Sequence, residues 1–522
     1  MSPERLYHPE LQTVAAVAAR HARWQPDAPA IICAEHSLDY AQLHRESNRI
    51  AHALRAEALG RGDRIAYLGK ESVHYYATLF ACAKIGAVLV PINFRLTGTE
   101  VDHILRDSRS ALLIVDADLR PAIEPVAANL PNLVVRGAGP DDFADWTAGQ
   151  SDTDLSTNTG PDDPVVQLYT SGTTGLPKGV VLAQRSFFAI RDALAVADLD
   201  WIDWQAGDRS LIGIPGFHVG GVWWAMQGFA AGITNVAMPR FDSAGALALI
   251  TRLGVTTACV VPSMLRLLLA EPGADKAAFT SVRKIVYGGS PIAESLLQEA
   301  LTVFDADFAQ IYGLTETGNT AVCLPPADHL PGNARLRAAG RPYPGVQVKV
   351  IDESGASLPP GAVGEVCLRT PARMLEYWGM PQATAETLVG EWVHTGDAGR
   401  LDADGYVYIS DRLKDMIIVA GENIYPAEIE NALIQHPDVA DAAVIGIPDD
   451  TFGEAIYAFV AARPGAEIRP RDLLLFCRDR IATFKIPSRF EFVDAVPRNP
   501  SGKILRRELR SRFWAARDRH VN

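Results

Sequence analysis

The chain of 522 residues carries 49 Lys/Arg against 62 Asp/Glu, a net charge of −13. That length exceeds one domain's core, and 48% hydrophobic with 21% charged residues excludes a disordered chain. The acidic balance excludes a general nucleic-acid binder, which needs a basic surface. Residues 411–522 hold 17 basic and 17 acidic side chains, so the whole net charge lies in the preceding body.

Along the chain, residues 40–59 have apolar side chains at helical spacing and are followed by a strand at 64–68. A helix at 75–85, a strand at 87–91 and an apolar run at 111–115 come next. Short apolar runs at 165–168, 211–215, 257–261, 284–287 and 308–312 alternate with helical stretches. Such alternation predicts parallel sheets with helices on both faces, in two α/β units. Residues 219–239 carry no charge, but their Gly, Ala, Gln227 and Asn235 point to a buried core segment rather than a membrane span. From 344 to about 410 short strands between Gly, Asp and Pro turns predict a small antiparallel sheet or barrel. The charged run 411–415 between two apolar strands is the expected domain boundary, giving units 1–412 and 413–522.

Six scattered cysteines without a C-x-x-C pair predict neither a disulfide scaffold nor structural zinc. With an N-terminus lacking the apolar core of a signal peptide, they predict a cytoplasmic protein. The composition of the arginine-rich C-terminal tail is compatible with a solvated helix or a weak peripheral contact with an anionic surface.

The strongest chemical signal is Tyr169-Thr170-Ser171-Gly172-Thr173-Thr174-Gly175-Leu176-Pro177-Lys178-Gly179, which follows an apolar strand. Glycines let the backbone present its N–H groups, hydroxyls add donors and Lys178 adds charge, which suits polyphosphate. The spacing is not that of the P-loop, because Pro177 precedes Lys178 and Gly179 follows it.

This segment resembles the phosphate loop of the adenylate-forming superfamily, which comprises acyl-CoA synthetases, luciferases and non-ribosomal peptide synthetase adenylation domains. Four further segments resemble its motifs in order: residues 310–318 around Tyr312-Gly313-Leu314-Thr315-Glu316, then His394-Thr395-Gly396-Asp397, then 411–415 with Gly421-Glu422-Asn423, then 497–503 ending in Lys503. The resemblance implies an α/β fold. A large N-terminal domain would hold two doubly wound α/β sheet subdomains and a small β-barrel, followed by a small mobile α+β C-terminal domain. It implies ATP, Mg²⁺ and coenzyme A as co-substrates and cofactors, a small-molecule carboxylic acid as substrate, and leaves a homodimer open.

The resemblance also implies roles. Thr170, Ser171, Gly172, Thr173, Thr174 and Lys178 would shield the triphosphate, and Thr170 and Glu316 would hold Mg²⁺. Thr315 would contact the α-phosphate, while Gly288, Gly289, Ser290 and Tyr312 would line the adenine side, Tyr312 stacking on the base. Asp397 would accept from the ribose hydroxyls, assisted by Arg412. Lys503 would supply positive charge to the phosphorus transition state. Rotation about Lys414 would then bring in the Gly421 loop, with Phe452 and Lys485 as contacts to coenzyme A.

For the acid, Phe217, His218, Val222, Trp223, Gly289 and Gly313 are the candidate lining, with His218 near the carboxylate. The stretch after Pro215 lacks the aspartate that amino-acid-activating relatives use, so the substrate is expected to have no α-amine. A medium- or long-chain fatty acid is favoured over an aryl acid. Coenzyme A is the expected acceptor, which makes the chain an AMP-forming carboxylic acid–CoA ligase, and a carrier protein is the alternative. Two departures bear on the substrate: Ala183-Gln184 replaces the usual Thr-His, and Gly216 replaces a larger residue, which is expected to enlarge the pocket.

Overall fold

The computed structural model describes residues 6–514 apart from 157, 171–176, 198, 200, 291, 331, 420–421, 450–452, 479 and 500–501. Its architecture is mixed α/β, with a large N-terminal domain and a small C-terminal one.

The strands Arg64–Leu68, Val88–Ile92 and Leu112–Val115 are buried at every position. A strand covered on both faces reads as a continuous apolar run. They lie parallel in a seven-stranded sheet, flanked on one side by Val134–Gly137 and on the other by the hairpin Pro164–Thr170 and Lys178–Ala183. The two-residue strand Glu376–Tyr377 closes that edge, Tyr377 opposite Val180. Helix termini follow local chemistry. Asp39 and Gln42 form a capping box on Tyr40–Ala56, and Ser72 caps Val73–Ile85, which stops at left-handed Gly86.

A second sheet of nine strands has Lys284–Gly288 and Asp307–Tyr312 side by side and parallel. The N-terminal hairpin Pro29–Cys33 and His36–Asp39 joins this sheet, with Ile31 opposite Asn235. The chain thus begins in the second unit before building the first. The uncharged run 219–239 becomes the buried helix Val219–Ala231, a left-handed Gly232 and the strand Thr234–Ala237. Among the described residues no helix is long and apolar enough to cross a membrane.

The segment expected as a barrel is a five-stranded antiparallel sheet containing Gly364–Arg369, Trp392–Leu401 and Val407–Arg412. Beyond it lies another five-stranded sheet, in which Gly453–Ala462 pairs with Val439–Asp449, Ile417–Val419 and Arg489–Phe492. The helices Pro426–Ile434, Pro470–Arg478 and Arg506–Trp514 accompany that sheet. Two apolar clusters of its own, around Leu433 and Leu473 and around Ile445 and Phe459, serve this part.

Residues 411–415 are braced where the two parts meet. Asp411 accepts the Ala427 N–H at 2.8 Å, and Arg506 pairs with Glu430 at 2.7 Å and Asp415 at 3.7 Å. Arg266 reaches across to donate to the Ala440 carbonyl at 2.5 Å.

Candidate functional site

The phosphate-loop hairpin pairs Thr170 with Lys178 at its mouth. Ser171, Gly172, Thr173 and Thr174 lie outside the described residues. The Lys178 ammonium sits 5.0 Å above the Tyr377 ring, a cation–π contact, and Tyr377 Oη donates to Glu316 Oε1 at 2.7 Å. Glu316 is carried on the short 3₁₀ turn Thr315–Thr317 after the strand Asp307–Tyr312. Its backbone carbonyl also accepts the Met374 N–H at 2.8 Å. One segment, 374–377, thus ties Lys178 to Glu316. Sequence reading missed Tyr377, whose only signal is an aromatic pair, Tyr377-Trp378, in a polar stretch. Fixed carboxylate and hydroxyl oxygens are the donors a magnesium ion takes, so Glu316 and Thr170 fit that cation chemically.

Asp397 is buried and its two oxygens are held separately. Tyr312 Oη donates to Oδ2 at 2.7 Å, and Arg412 Nε lies 2.7 Å from Oδ1 across the antiparallel register. Burial opposes the Arg412 charge, yet Asp397, Tyr312 and Glu316 together raise its pKa above the usual guanidinium value. The strand before Asp397 is fixed by Glu365, which accepts from the Gly396 N–H at 3.0 Å and meets His394 Nδ1 at 3.0 Å.

Gly288 ends the strand Lys284–Gly288, and Gly289 follows at φ +81°. Only glycine adopts that conformation without strain. A side chain at Gly289 would meet Val261 at 3.5 Å, and one at Gly502 would meet the other Val261 methyl at 3.7 Å and collide with Ser263. Val261 therefore links the Gly288-Gly289 turn to the turn carrying Lys503. In that turn the Lys503 N–H donates to Asn499 Oδ1 at 2.8 Å and Asn499 N–H to the Lys503 carbonyl at 2.8 Å. Arg498 anchors it by a bidentate pair with Asp441 at 2.8 and 2.9 Å.

On the acid side, His218 precedes the helix Val219–Ala231, its ring 4.7 Å from that of Phe217. Burial, aided by the charge of Arg95, lowers its pKa to about 4, so the imidazole is neutral near pH 7. Its Nε2 is buried without a hydrogen-bond partner among the described residues. So is Nδ2 of Asn319, a second residue missed from sequence, whose Oδ1 lies 3.6 Å from a side-chain position at Gly220. Non-glycine φ values as positive as its +89° are uncommon and mark a locally constrained backbone. Val222 and Trp223 lie fully inside the main apolar core.

Both departures have structural reasons. A side chain at Gly216 would stand 2.7 Å from Glu71 Oε1 and 2.7 Å from the Tyr75 ring, so the room is already filled. The expected enlargement of the pocket is therefore corrected. Tyr75 Oη donates to the Gly216 carbonyl at 2.8 Å, and Tyr76 Oη to Glu71 Oε1 at 2.7 Å. Burial pushes the Glu71 carboxyl up to about 8, against the hydrogen bonds from Tyr76 and from the Gly216 backbone N–H. Gln184 is buried, its Oε1 accepting the Val14 N–H at 2.7 Å at the start of the helix Val14–Trp24 and its Nε2 without a hydrogen-bond partner among the described residues.

Elsewhere, Lys485 Nζ is bound by both oxygens of Glu428 at 2.7 and 2.8 Å. Lys414 lies in the 3₁₀ turn Leu413–Asp415. Gly421 and Phe452 are outside the described residues.

Comparison with known proteins follows this geometry. The AMP-binding enzyme family matches residues 18–378, and the AMP-binding enzyme C-terminal domain matches 428–503. The fatty acid–[acyl-carrier-protein] ligase ScoC of Streptomyces coeruleorubidus is 62% identical over 520 residues, covering 99% of this chain and 100% of that protein. The long-chain-fatty-acid–CoA ligase FadD13 of Mycobacterium tuberculosis is 36% identical over 480 residues, covering 92% and 93%. Among solved structures, ATP-bound MatB from Rhodopseudomonas palustris superposes with a TM-score of 0.87 at 31% identity, covering 96% of this chain and 99% of that one. The anthranilate CoA ligase AuaEII with anthranoyl-AMP gives 0.89 at 28% identity, covering 98% of each. With both family segments present in order and relatives matched end to end, this chain belongs to the AMP-binding enzyme family of adenylate-forming acid ligases.

Proposed function

We propose that this chain activates a fatty acid with ATP as the acyl-adenylate, releases pyrophosphate, and passes the acyl group to the phosphopantetheine thiol of a carrier protein. The observation that carries this reading is the end-to-end 62% identity with a fatty acid–[acyl-carrier-protein] ligase. The second reading, coenzyme A as acceptor, draws on the 36% identity with FadD13 and the 38% identity with a feruloyl-CoA synthase of an Amycolatopsis species. The engagement of Lys485 by Glu428 weighs against that lysine as a coenzyme A contact.

In this reading Thr170 and Lys178 face the triphosphate from the hairpin mouth, and the loop 171–176 adds its donors. Bound Mg²⁺ supplies charge neutralisation to the phosphates, and Glu316 and Thr170 are the residues that would hold it. Tyr377 holds Glu316 through its hydroxyl while its ring lies beneath the Lys178 ammonium. Asp397 orients the ribose, with Tyr312 and Arg412 fixing the carboxylate. Neutral His218 donates from Nε2 to the acid's carboxylate without adding charge beside the reacting oxygen. Lys503 meets the negative charge that grows on the α-phosphate as the carboxylate attacks. The unit 413–522 then turns about Lys414 and withdraws Lys503, opening the adenylate to the thiol.

The test is pyrophosphate release across fatty and aryl acids, followed by thioester formation with holo-acyl carrier protein and, separately, coenzyme A. Higher kcat/KM for the carrier protein supports the first reading. Higher kcat/KM for coenzyme A replaces it with the second, and pyrophosphate release only with aryl acids overturns the fatty-acid assignment.

A further inference from the structure

We propose that the outward face of the helix Pro470–Arg478, with Phe484 just beyond it, is the docking surface for the acidic carrier protein. The inference rests on the carrier-protein reading above and adds where on this chain that partner is held.

The helix is two-faced. Leu473 and Cys477 are fully buried in the C-terminal core. The opposite side presents Arg471, Leu474, Leu475 and Arg478, spaced i, i+3, i+4 and i+7, which form one row on a helix surface. Leu474 and Leu475 are 43% and 39% exposed, and Phe484 after the helix is 51% exposed. Helical rows of leucine normally face inward, so an exposed pair framed by two arginines is a surface left to meet something.

Charge identifies what it meets. Residues 463–489 hold seven Lys/Arg against three Asp/Glu, inside a chain whose net charge is −13. Arg469 and Lys485 are neutralised by Asp472 and Glu428. Among the described residues neither Arg471 nor Arg478 forms an ion pair, and Arg480 lies flat on Phe476 at 3.6 Å. An acidic protein is repelled by the body and drawn to this face, and such complementarity sets encounter rate and orientation. Acyl carrier proteins are small and acidic, with an apolar patch beside the phosphopantetheine serine, so two leucines between arginines match both halves of that surface. An anionic membrane is the poorer match. The helix is anchored by its buried face, and its exposed apolar side chains are two leucines with Phe484 just beyond, not the wide face that enters a bilayer.

The surface belongs to the same C-terminal unit as Lys503. A carrier docked on it travels with that unit between the adenylating arrangement and the one that admits the thiol.

The test compares wild type with Arg471→Glu/Arg478→Glu, with Leu474→Ser and with Arg471→Lys/Arg478→Lys. Each is assayed for acid-dependent ATP–pyrophosphate exchange, acyl transfer to free pantetheine, and acylation of holo-acyl carrier protein of type II fatty-acid synthesis. The charge-reversed and Leu474→Ser variants are expected to lose tenfold or more in kcat/KM for the carrier through KM, with exchange and pantetheine transfer unchanged. The Lys pair should retain the wild-type value, and added salt should slow only proteins that keep the cations. Carrier acylation at wild-type efficiency by the charge-reversed variant overturns the docking assignment and leaves the acceptor reading intact. If wild type acylates coenzyme A but no carrier, both fall. Loss of flotation with phosphatidylglycerol vesicles, with carrier acylation unchanged, overturns the assignment in favour of a lipid surface.

Discussion

Glu71→Gln should make the protein less sensitive to alkaline pH while leaving it little changed in acid. Glu71 is buried behind Gly216, with Tyr76 donating to it and the Gly216 backbone N–H beside it. Burial raises its carboxyl from the ordinary 4.5 to about 8. Between those two values the folded protein keeps a proton that the unfolded chain has released, so folding stability falls as pH rises through the window. Each pKa unit is worth about 1.4 kcal/mol, so the whole shift corresponds to roughly 4–5 kcal/mol above pH 8 and nothing below pH 4.5. Glutamine preserves an acceptor for Tyr76 and has no proton to lose. The assay is denaturation of both proteins in urea at intervals from pH 5 to pH 9. A chain of this size unfolds in more than one step, so the informative quantity is how the difference between the two proteins changes with pH. Glu71→Gln should gain on wild type by about 2 kcal/mol or more between pH 5 and pH 9. A difference independent of pH would refute the buried, protonated carboxyl and with it this explanation of Gly216.

Gly216→Leu, which restores a bulkier residue, should cost about 1–3 kcal/mol by overpacking and raise KM for the acid by displacing Phe217 and His218, measured by denaturation and steady-state kinetics. Tyr377→Phe removes the hydrogen bond to Glu316, a bond to a charged group worth about 1.5–3 kcal/mol, and should lower the adenylation rate roughly 10- to 100-fold with the fold retained. The drop should be smaller at high Mg²⁺ if Glu316 is a magnesium ligand. Lys503→Ala should slow pyrophosphate release about 100- to 1,000-fold, yet leave thioester formation from added acyl-adenylate near wild type. Because His218 titrates near pH 4, acid binding should show no ionisation of this residue between pH 6 and pH 8, and an inflection there removed by His218→Asn would overturn its neutral assignment.

What could be read from sequence was what is local. The strand Arg64–Leu68 and the apolar runs of the second sheet are buried on both faces, so hydrophobic continuity alone locates them. The N-terminal hairpin defeats that logic, because nothing in residues 29–39 says that Ile31 pairs with Asn235 two hundred residues later. The candidate site divides in the same way. Thr170, Lys178, Glu316, Asp397 and Arg412 stand in contiguous motifs whose order is visible. Tyr377 and Asn319 matter through contacts made in space, and neither residue type announces a role by itself.

The two departures from the family pattern show why a substitution inside a motif is not by itself evidence about substrate. Gln184 and Gly216 each depart from the pattern that the motifs resemble, so a change of pocket is the natural inference. Yet the Gln184 side-chain Oε1 accepts the Val14 N–H, and the space beside Gly216 holds Glu71 and Tyr75. In both cases the compensating partner lies over a hundred residues away, on an element that only the folded chain brings near. Gly216 has to be read with Tyr75 and Glu71: each stands 2.7 Å from a side-chain position at 216, so a larger residue there requires both to give way or displaces Phe217 and His218. By urea denaturation, Gly216→Ala/Tyr75→Phe, which keeps the ring and loses its hydrogen bond to the Gly216 carbonyl, should be less stable than Gly216→Ala. Gly216→Ala/Tyr75→Leu, which frees the ring's volume but not that of Glu71, should be more stable than the Phe double variant, and the reverse order would refute the ring clash.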